Sequence, residues 1–173
     1  MNTDPTGGDH PTRLLAVSNR QRACRIDGVH LRRLVRFHLE EQLKLRHYDL
    51  AVHLLSSRRM AEVNVTHLQH QGPTDVITFD YGEPGTDGLH GELLVCPAVA
   101  IEQAREFGTT WESEILRYIV HGVLHLRGYD DQTAAERRRM KRAENRLLQE
   151  MVGSQPVGRL RARPGTSPKP SLE

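Results

Sequence analysis

Apolar residues recur along this chain with two periods. Between Tyr48 and Leu55 they alternate, with Leu50, Val52 and Leu54 set against Asp49, Ala51 and His53. A period of two predicts a strand with one buried face. From His30 to Leu45 the positions Leu31, Leu34, Val35, Phe37, Leu43 and Leu45 follow the spacing of an amphipathic helix. Ile115, Leu116, Ile119, Val120, Val123 and Leu124 form a second helical stripe, and Met140, Ala143, Leu147, Leu148 and Met151 a third, on the segment 133–151. Shorter signals fill the gaps. Leu14 to Val17 reads as a strand ending in a turn at Ser18-Asn19, Val76 to Phe79 as a β-branched and aromatic strand, and Leu89 to Cys96 as a fourth. Ser56-Ser57 suits the N-cap of a short helix over 57–67. Gly108 stops a helix that begins at Ala98, and Thr109 with Glu112 has the spacing of a capping box for the next helix. Gly72-Pro73-Thr74 and the stretch 82–88 break the chain as turns. Four strands and about five helices predict an α+β fold, with a small mixed four-stranded sheet.

Composition narrows this to one domain. The chain has 173 residues, 37% hydrophobic and 27% charged, enough to close a single core. Residues 1–11 are polar and expected to be disordered, 12–153 form the domain, and 154–173 are expected to be a disordered basic tail with Pro156, Pro164, Pro168 and Pro170 among Arg159, Arg161, Arg163 and Lys169. A net charge of +2 singles out no polyanionic partner by itself. Cys24 and Cys96 stand far apart with no C-x-x-C pair, so they are expected to be buried free thiols. No apolar run approaches the ~20 residues of a membrane span, and a cytoplasmic protein is expected.

The candidate chemistry lies at the end of the second helical stripe. His121 and His125 are one helical turn apart on one face and can offer two imidazole nitrogens to one ion. Gly128 suits a left-handed helix terminus, after which the chain can fold back and aim Asp130 or Asp131 at that ion. Three ligands leave a fourth position open, as catalytic zinc sites do. The spacing of His121, His125, Gly128 and Asp131 equals that of the metzincin signature H-E-x-x-H-x-x-G-x-x-H, but Gly122 stands where a peptidase needs its glutamate base. His67 and His70 have no such continuation and read as loop residues.

The stretch from His121 to Asp130, His-Gly-Val-Leu-His-Leu-Arg-Gly-Tyr-Asp, resembles the signature of the YbeY family of metal-dependent endoribonucleases. Asn64 with Pro73-Thr74-Asp75-Val76-Ile77-Thr78-Phe79, and the strand Gly91-Glu92-Leu93-Leu94-Val95-Cys96, are similar to two further motifs of that family. The resemblance implies a zincin-like fold and an enzyme that cuts single-stranded RNA with a water activated by a zinc-type ion. It also implies ribosomal RNA and the small ribosomal subunit as partners, in ribosomal RNA maturation and ribosome quality control. It places one zinc ion on His121, His125 and Asp131, with nickel, iron or manganese suited to the same ligands. The family's third ligand is usually histidine, and an aspartate lowers the net charge at the ion by one unit and makes its water less acidic. Leu68 stands where the family usually has an arginine, so Arg58, Arg59 or Arg127 is the expected substitute for contacts to RNA, against the plainer reading of each as solvated surface charge. Asp130 reads as an acceptor behind a ligand histidine or as a helix N-cap. Asp75 and Glu92 read as water-positioning acids or as turn and strand-edge residues, and the arginines from Arg137 to Arg146 as a solvated face or as phosphate contacts. Two other functions fit less of the chain: a non-enzymatic ribosome assembly factor with a structural metal, favoured by Leu68, and a zinc peptidase, disfavoured by Gly122.

Overall fold

Five helices and two short helical turns surround one four-stranded sheet in the computed structural model, which describes residues 11–68, 72–83 and 88–162, without the side chains of 67 and 68. The strands are β1 (Arg13–Asn19), β2 (Tyr48–Leu54), β3 (Val76–Asp80) and β4 (Leu89–Val95), and the helices are α1 (Gly28–Phe37), α2 (Ser57–Leu68), α3 (Pro97–Phe107), α4 (Trp111–Leu126) and α5 (Ala134–Ser154). The sheet order is β1-β2-β4-β3. The first three strands are parallel and β3 is antiparallel at the edge, so the mixed α+β architecture is as expected.

Alternation divides the sheet into two faces. Leu50, Val52 and Leu54 of β2 and Leu93 and Val95 of β4 are wholly buried in the main core, with α1, α4 and α5 contributing Leu31, Leu34, Ile115, Leu116, Ile119, Val123, Leu147 and Met151. Leu94 and Ile77 belong to a smaller cluster with Met60 of α2 and Cys96.

Helix α4 lies unusually close to β4, and glycines make the approach possible. A Cβ on Gly122 would come 2.6 Å from Leu93 Cδ2, and a Cβ on Gly91 would come 2.8 Å from Leu126 Cδ2 and 2.5 Å from the Phe79 carbonyl oxygen. Helix and strand thus each insert a leucine over the other's glycine. The absence of a side chain at position 122 is a packing requirement as well as a missing base.

Three expectations are corrected. The helix expected to reach Leu45 changes at His38 into a π-helical turn, His38–Gln42, closed by the Leu43 N–H on the His38 carbonyl at 3.0 Å. The wider turn sets Gln42 to donate to the Leu147 carbonyl of α5 at 2.8 Å. The N-cap of α4 is Thr110, whose hydroxyl accepts from Ser113 N at 3.2 Å, because Thr109 instead donates to Glu114 at 2.6 Å. Residues 154–162 are ordered: Val157–Leu160 form a 3-10 turn with Val157 and Leu160 buried, and Arg161 pairs with Glu112 at 2.9 Å. Two apolar residues and one charge pair outweigh a tail-like composition there. The expectations for residues 1–10, 163–173 and His70 lie outside the described residues, as does the His67 side chain. Of the cysteines, Cys96 is buried and Cys24 partly exposed, both free.

The leucine and glycine contacts make a graded prediction. Gly91→Ala drives its methyl into the Phe79 backbone and is expected to cost about 1–3 kcal/mol in denaturant unfolding. Gly122→Ala meets only side-chain ends, Leu93 Cδ2 at 2.6 Å and the Thr78 hydroxyl at 3.1 Å, which can turn aside, and is expected to cost less. Equal stabilities for both variants and the wild type would contradict this packing.

Candidate metal centre

The two histidines are brought together by α4 and the third carboxylate by what ends it. Arg127 caps the helix, Gly128 follows in the left-handed conformation at φ 80, and the last two bonds close it: Gly128 N to the His125 carbonyl at 2.9 Å and Tyr129 N to the Leu124 carbonyl at 3.0 Å. This is the Schellman pattern, and it turns the chain back over the helix end. Asp131 arrives with Oδ2 3.8 Å from Nε2 of both His121 and His125, and those two nitrogens are 3.0 Å apart. Among the described residues this is the one cluster of three such side chains with ligand atoms all within 4.8 Å of one another.

Both imidazoles are fixed from behind. His125 Nδ1 lies 3.0 Å from the Tyr129 carbonyl, which can only accept, so Nδ1 carries the proton. His121 Nδ1 lies 3.2 Å from Glu144 Oε2 of α5. Glu144 is buried, which works against its ionisation, but the His121 hydrogen bond and the Arg117 guanidinium outweigh burial and hold its carboxyl below the usual range. His121 Nδ1 is therefore a donor as well. In their neutral forms both rings turn an Nε2 lone pair toward the same point, where Asp131 adds negative charge. Lone pairs so converged are stabilised by a cation, and two imidazoles with a carboxylate are a donor set that fits a divalent transition metal. Protons compete for the same place. Burial disfavours charge on His121, yet Glu144, Asp75 and Asp131 together raise its pKa above the ordinary value.

Arg137 fixes the ligand loop. Its Nη1 donates to the carbonyls of Asp131 at 3.1 Å and Gln132 at 2.6 Å, while Thr133 and Glu136 cap α5 reciprocally beside them. Arg139 lies over the Tyr129 ring at 4.7 Å. The arginine run thus has two members, both exposed, that also engage the loop. Glu144, Arg117 and Arg137 were not singled out by motif; only the position of Glu144 on the apolar stripe, four residues after Met140, signalled burial.

Several expected residues fall elsewhere. Asp130 is exposed and accepts from Asp131 N at 2.7 Å, so it neither backs a histidine nor caps α5. Asp75 does line the cavity that borders His121, with one oxygen accepting from Val76 N at 2.8 Å and from the Thr74 hydroxyl at 2.9 Å. Glu92 is corrected: strand alternation turns Gly91 and Leu93 toward α4 and Glu92 to the opposite face. Arg58 and Arg59, on the first turn of α2, both pair with Glu62, at 3.1 and 3.0 Å, and neither lines the cavity at His121. Arg127 is exposed on the turn after His125. Leu68 ends α2, with its side chain outside the described residues.

The family model for the endoribonuclease YbeY matches residues 16–152, a span that holds every residue of this centre. The chain belongs to the YbeY family. It is 42% identical over 103 residues to an endoribonuclease YbeY of Chlorobium luteolum, covering 60% of this chain and 74% of that protein. It is 34% identical over 143 residues to one of Frankia alni, covering 76% and 79%. The solution structure of TM1509 from Thermotoga maritima is similar with a TM-score of 0.61 and 29% identity, over 89% of this chain and all of that one. The reading of the chain as an enzyme, an endoribonuclease, stands on this YbeY membership. No helix among the described residues is long and apolar enough to cross a membrane.

If Glu144 holds the His121 proton in place, Glu144→Gln will keep the side-chain volume but weaken zinc binding about 10–100-fold in competition with a chromophoric chelator. An unchanged affinity would remove Glu144 from that role.

Proposed function

We propose that this YbeY-family chain is a metal-dependent endoribonuclease that hydrolyses single-stranded RNA at the His121, His125 and Asp131 centre, with zinc as the resident ion. The observation that carries the reading is the pair of Nε2 lone pairs facing one point, each fixed by a partner on the far side of its ring. A divalent ion in that position supplies Lewis acidity, polarising a phosphoryl oxygen and lowering the pKa of a water.

The chain's own groups do the rest. Glu144, neutralised by Arg117, keeps the His121 Nδ1 proton in place, and the Tyr129 carbonyl does the same for His125. Arg137 holds the Asp131 backbone against movement. Asp75 borders the same cavity and orients the attacking water. Arg127 on the exposed turn and Lys141 at the cavity rim meet the backbone phosphates, a role for which Leu68 offers no charge. The substrate in the cell is ribosomal RNA on or near the small subunit, in its maturation and quality control in the cytoplasm; the motif resemblance supports this.

A short unstructured oligoribonucleotide tests the proposal. Zinc-loaded protein is expected to cut it internally, a chelator to abolish cutting, and Asp131→Ala to lower the rate at least ~100-fold with a parallel loss of bound zinc. Intact RNA after prolonged incubation with zinc-loaded protein that still binds small-subunit particles would favour an assembly factor instead.

A further inference from the structure

The cavity beside the histidines does not end at them. Its volume is about 710 Å³, and it runs along α4, which contributes Glu114, Tyr118 and His121, between Phe107 of α3 and Met140 of α5. Apart from Asp131, which faces the two histidines, its carboxylates are already engaged. Glu114 accepts from Thr109 at 2.6 Å and pairs with Arg117 at 3.5 Å, Glu144 accepts from His121, and Asp75 accepts from Thr74 and Val76. The Tyr118 hydroxyl is different. The residue is only 5% exposed, and its oxygen is buried with no hydrogen-bond partner among the described residues. A buried hydroxyl left in that condition costs roughly 1–3 kcal/mol, which an acceptor seated in the cavity would recover.

Three properties define that acceptor. Burial, then the charges of Asp75 and Glu114, keep the phenol protonated, so Tyr118 donates. Arg117, Arg137 and Lys141 also line the cavity, but at the Tyr118 hydroxyl the charges of Asp75 and Glu114 outweigh that of Arg117, which disfavours phosphate there, so the acceptor is uncharged. Phe107, a residue 64% exposed, and the edge of the buried Met140 offer apolar walls to a flat body. Tyr118 precedes His121 by three residues, a helical rise of about 4.5 Å, so what it binds adjoins what the metal centre cuts.

We propose that the cavity takes one unstacked nucleobase bearing a ring carbonyl (uracil, cytosine or guanine), with the Tyr118 hydroxyl donating to that carbonyl and Phe107 and Met140 covering the ring. Adenine, which has no carbonyl, leaves the hydroxyl unpaired and is selected against. The assignment rests on the endoribonuclease reading, and the test separates the two.

Binding of uridine and adenosine to the zinc-loaded protein is measured by titration, beside cleavage of oligoribonucleotides that differ only in the base flanking the cut. The wild type is expected to prefer uridine about 10-fold, and Tyr118→Phe, which keeps the ring volume, to abolish the preference in both assays. Phe107→Ala, at an exposed position that does not threaten folding, is expected to weaken all nucleosides about 10-fold with zinc content unchanged. Equal binding of uridine and adenosine by the wild type, or a preference that survives in Tyr118→Phe, overturns the pocket while leaving any RNA cleavage standing. Tyr118-dependent uridine binding by a protein that cuts no RNA upholds the pocket and rejects the nuclease reading.

Discussion

The metal centre depends on a chain reversal that only an unhindered backbone makes easily. At Gly128 the chain adopts φ 80, and two hydrogen bonds to the last turn of α4 follow from it. The Tyr129 carbonyl is thereby placed on His125 Nδ1, and Asp131 is carried back within 3.8 Å of both ligand nitrogens. One dihedral therefore determines a tautomer and a third ligand together. A side chain at 128 would cost about 1–2 kcal/mol in that conformation, a sum comparable to the bonds it supports.

Around this turn, the fold supplies rigidity from three directions. Leu126 over Gly91 and Leu93 over Gly122 hold α4 against an interior strand, so the histidines ride on a helix seated closely on the sheet. Helix α5 crosses behind and provides Glu144 for one histidine and Arg137 for the ligand loop. Burying Glu144 as an anion is tolerable because Arg117 pairs with it and His121 donates to it, so its desolvation is offset on two sides. The same arrangement gives the cavity its excess of carboxylates, which attract a cation to the histidines and leave the Tyr118 hydroxyl as a neutral donor beside them.

What the sequence revealed was what is local. The histidine pair and the glycine terminator lie within a few residues of one another, so their geometry follows from helical spacing, whereas the Thr133 and Glu136 capping box, equally local, was passed over. The strand alternation of β2 was equally plain. Glu144 and Arg117 act on each other across the packing of α4 and α5, where only the place of Glu144 on the apolar stripe hinted at burial, and Arg137, which bonds the loop before its own helix, is one of a run of arginines that no motif distinguishes. Glu92 shows the opposite failure: a residue inside a matching motif was grouped with the site, although alternation from Gly91 turns it away. The segment 157–160 was hidden by its basic and proline-rich surroundings, where Val157 and Leu160 suffice to dock it beneath Asp27.

The account stands most directly on Gly128. Zinc affinity of Gly128→Ala, measured by chelator competition beside metal-free thermal unfolding, tests whether the turn builds the centre. The expected result is an affinity lowered at least ~10-fold with metal-free stability reduced by about 1–2 kcal/mol, the loss at the metal exceeding what the fold alone would cause. Wild-type zinc affinity in the variant would contradict the account, because His125 and Asp131 would then be positioned without the left-handed turn.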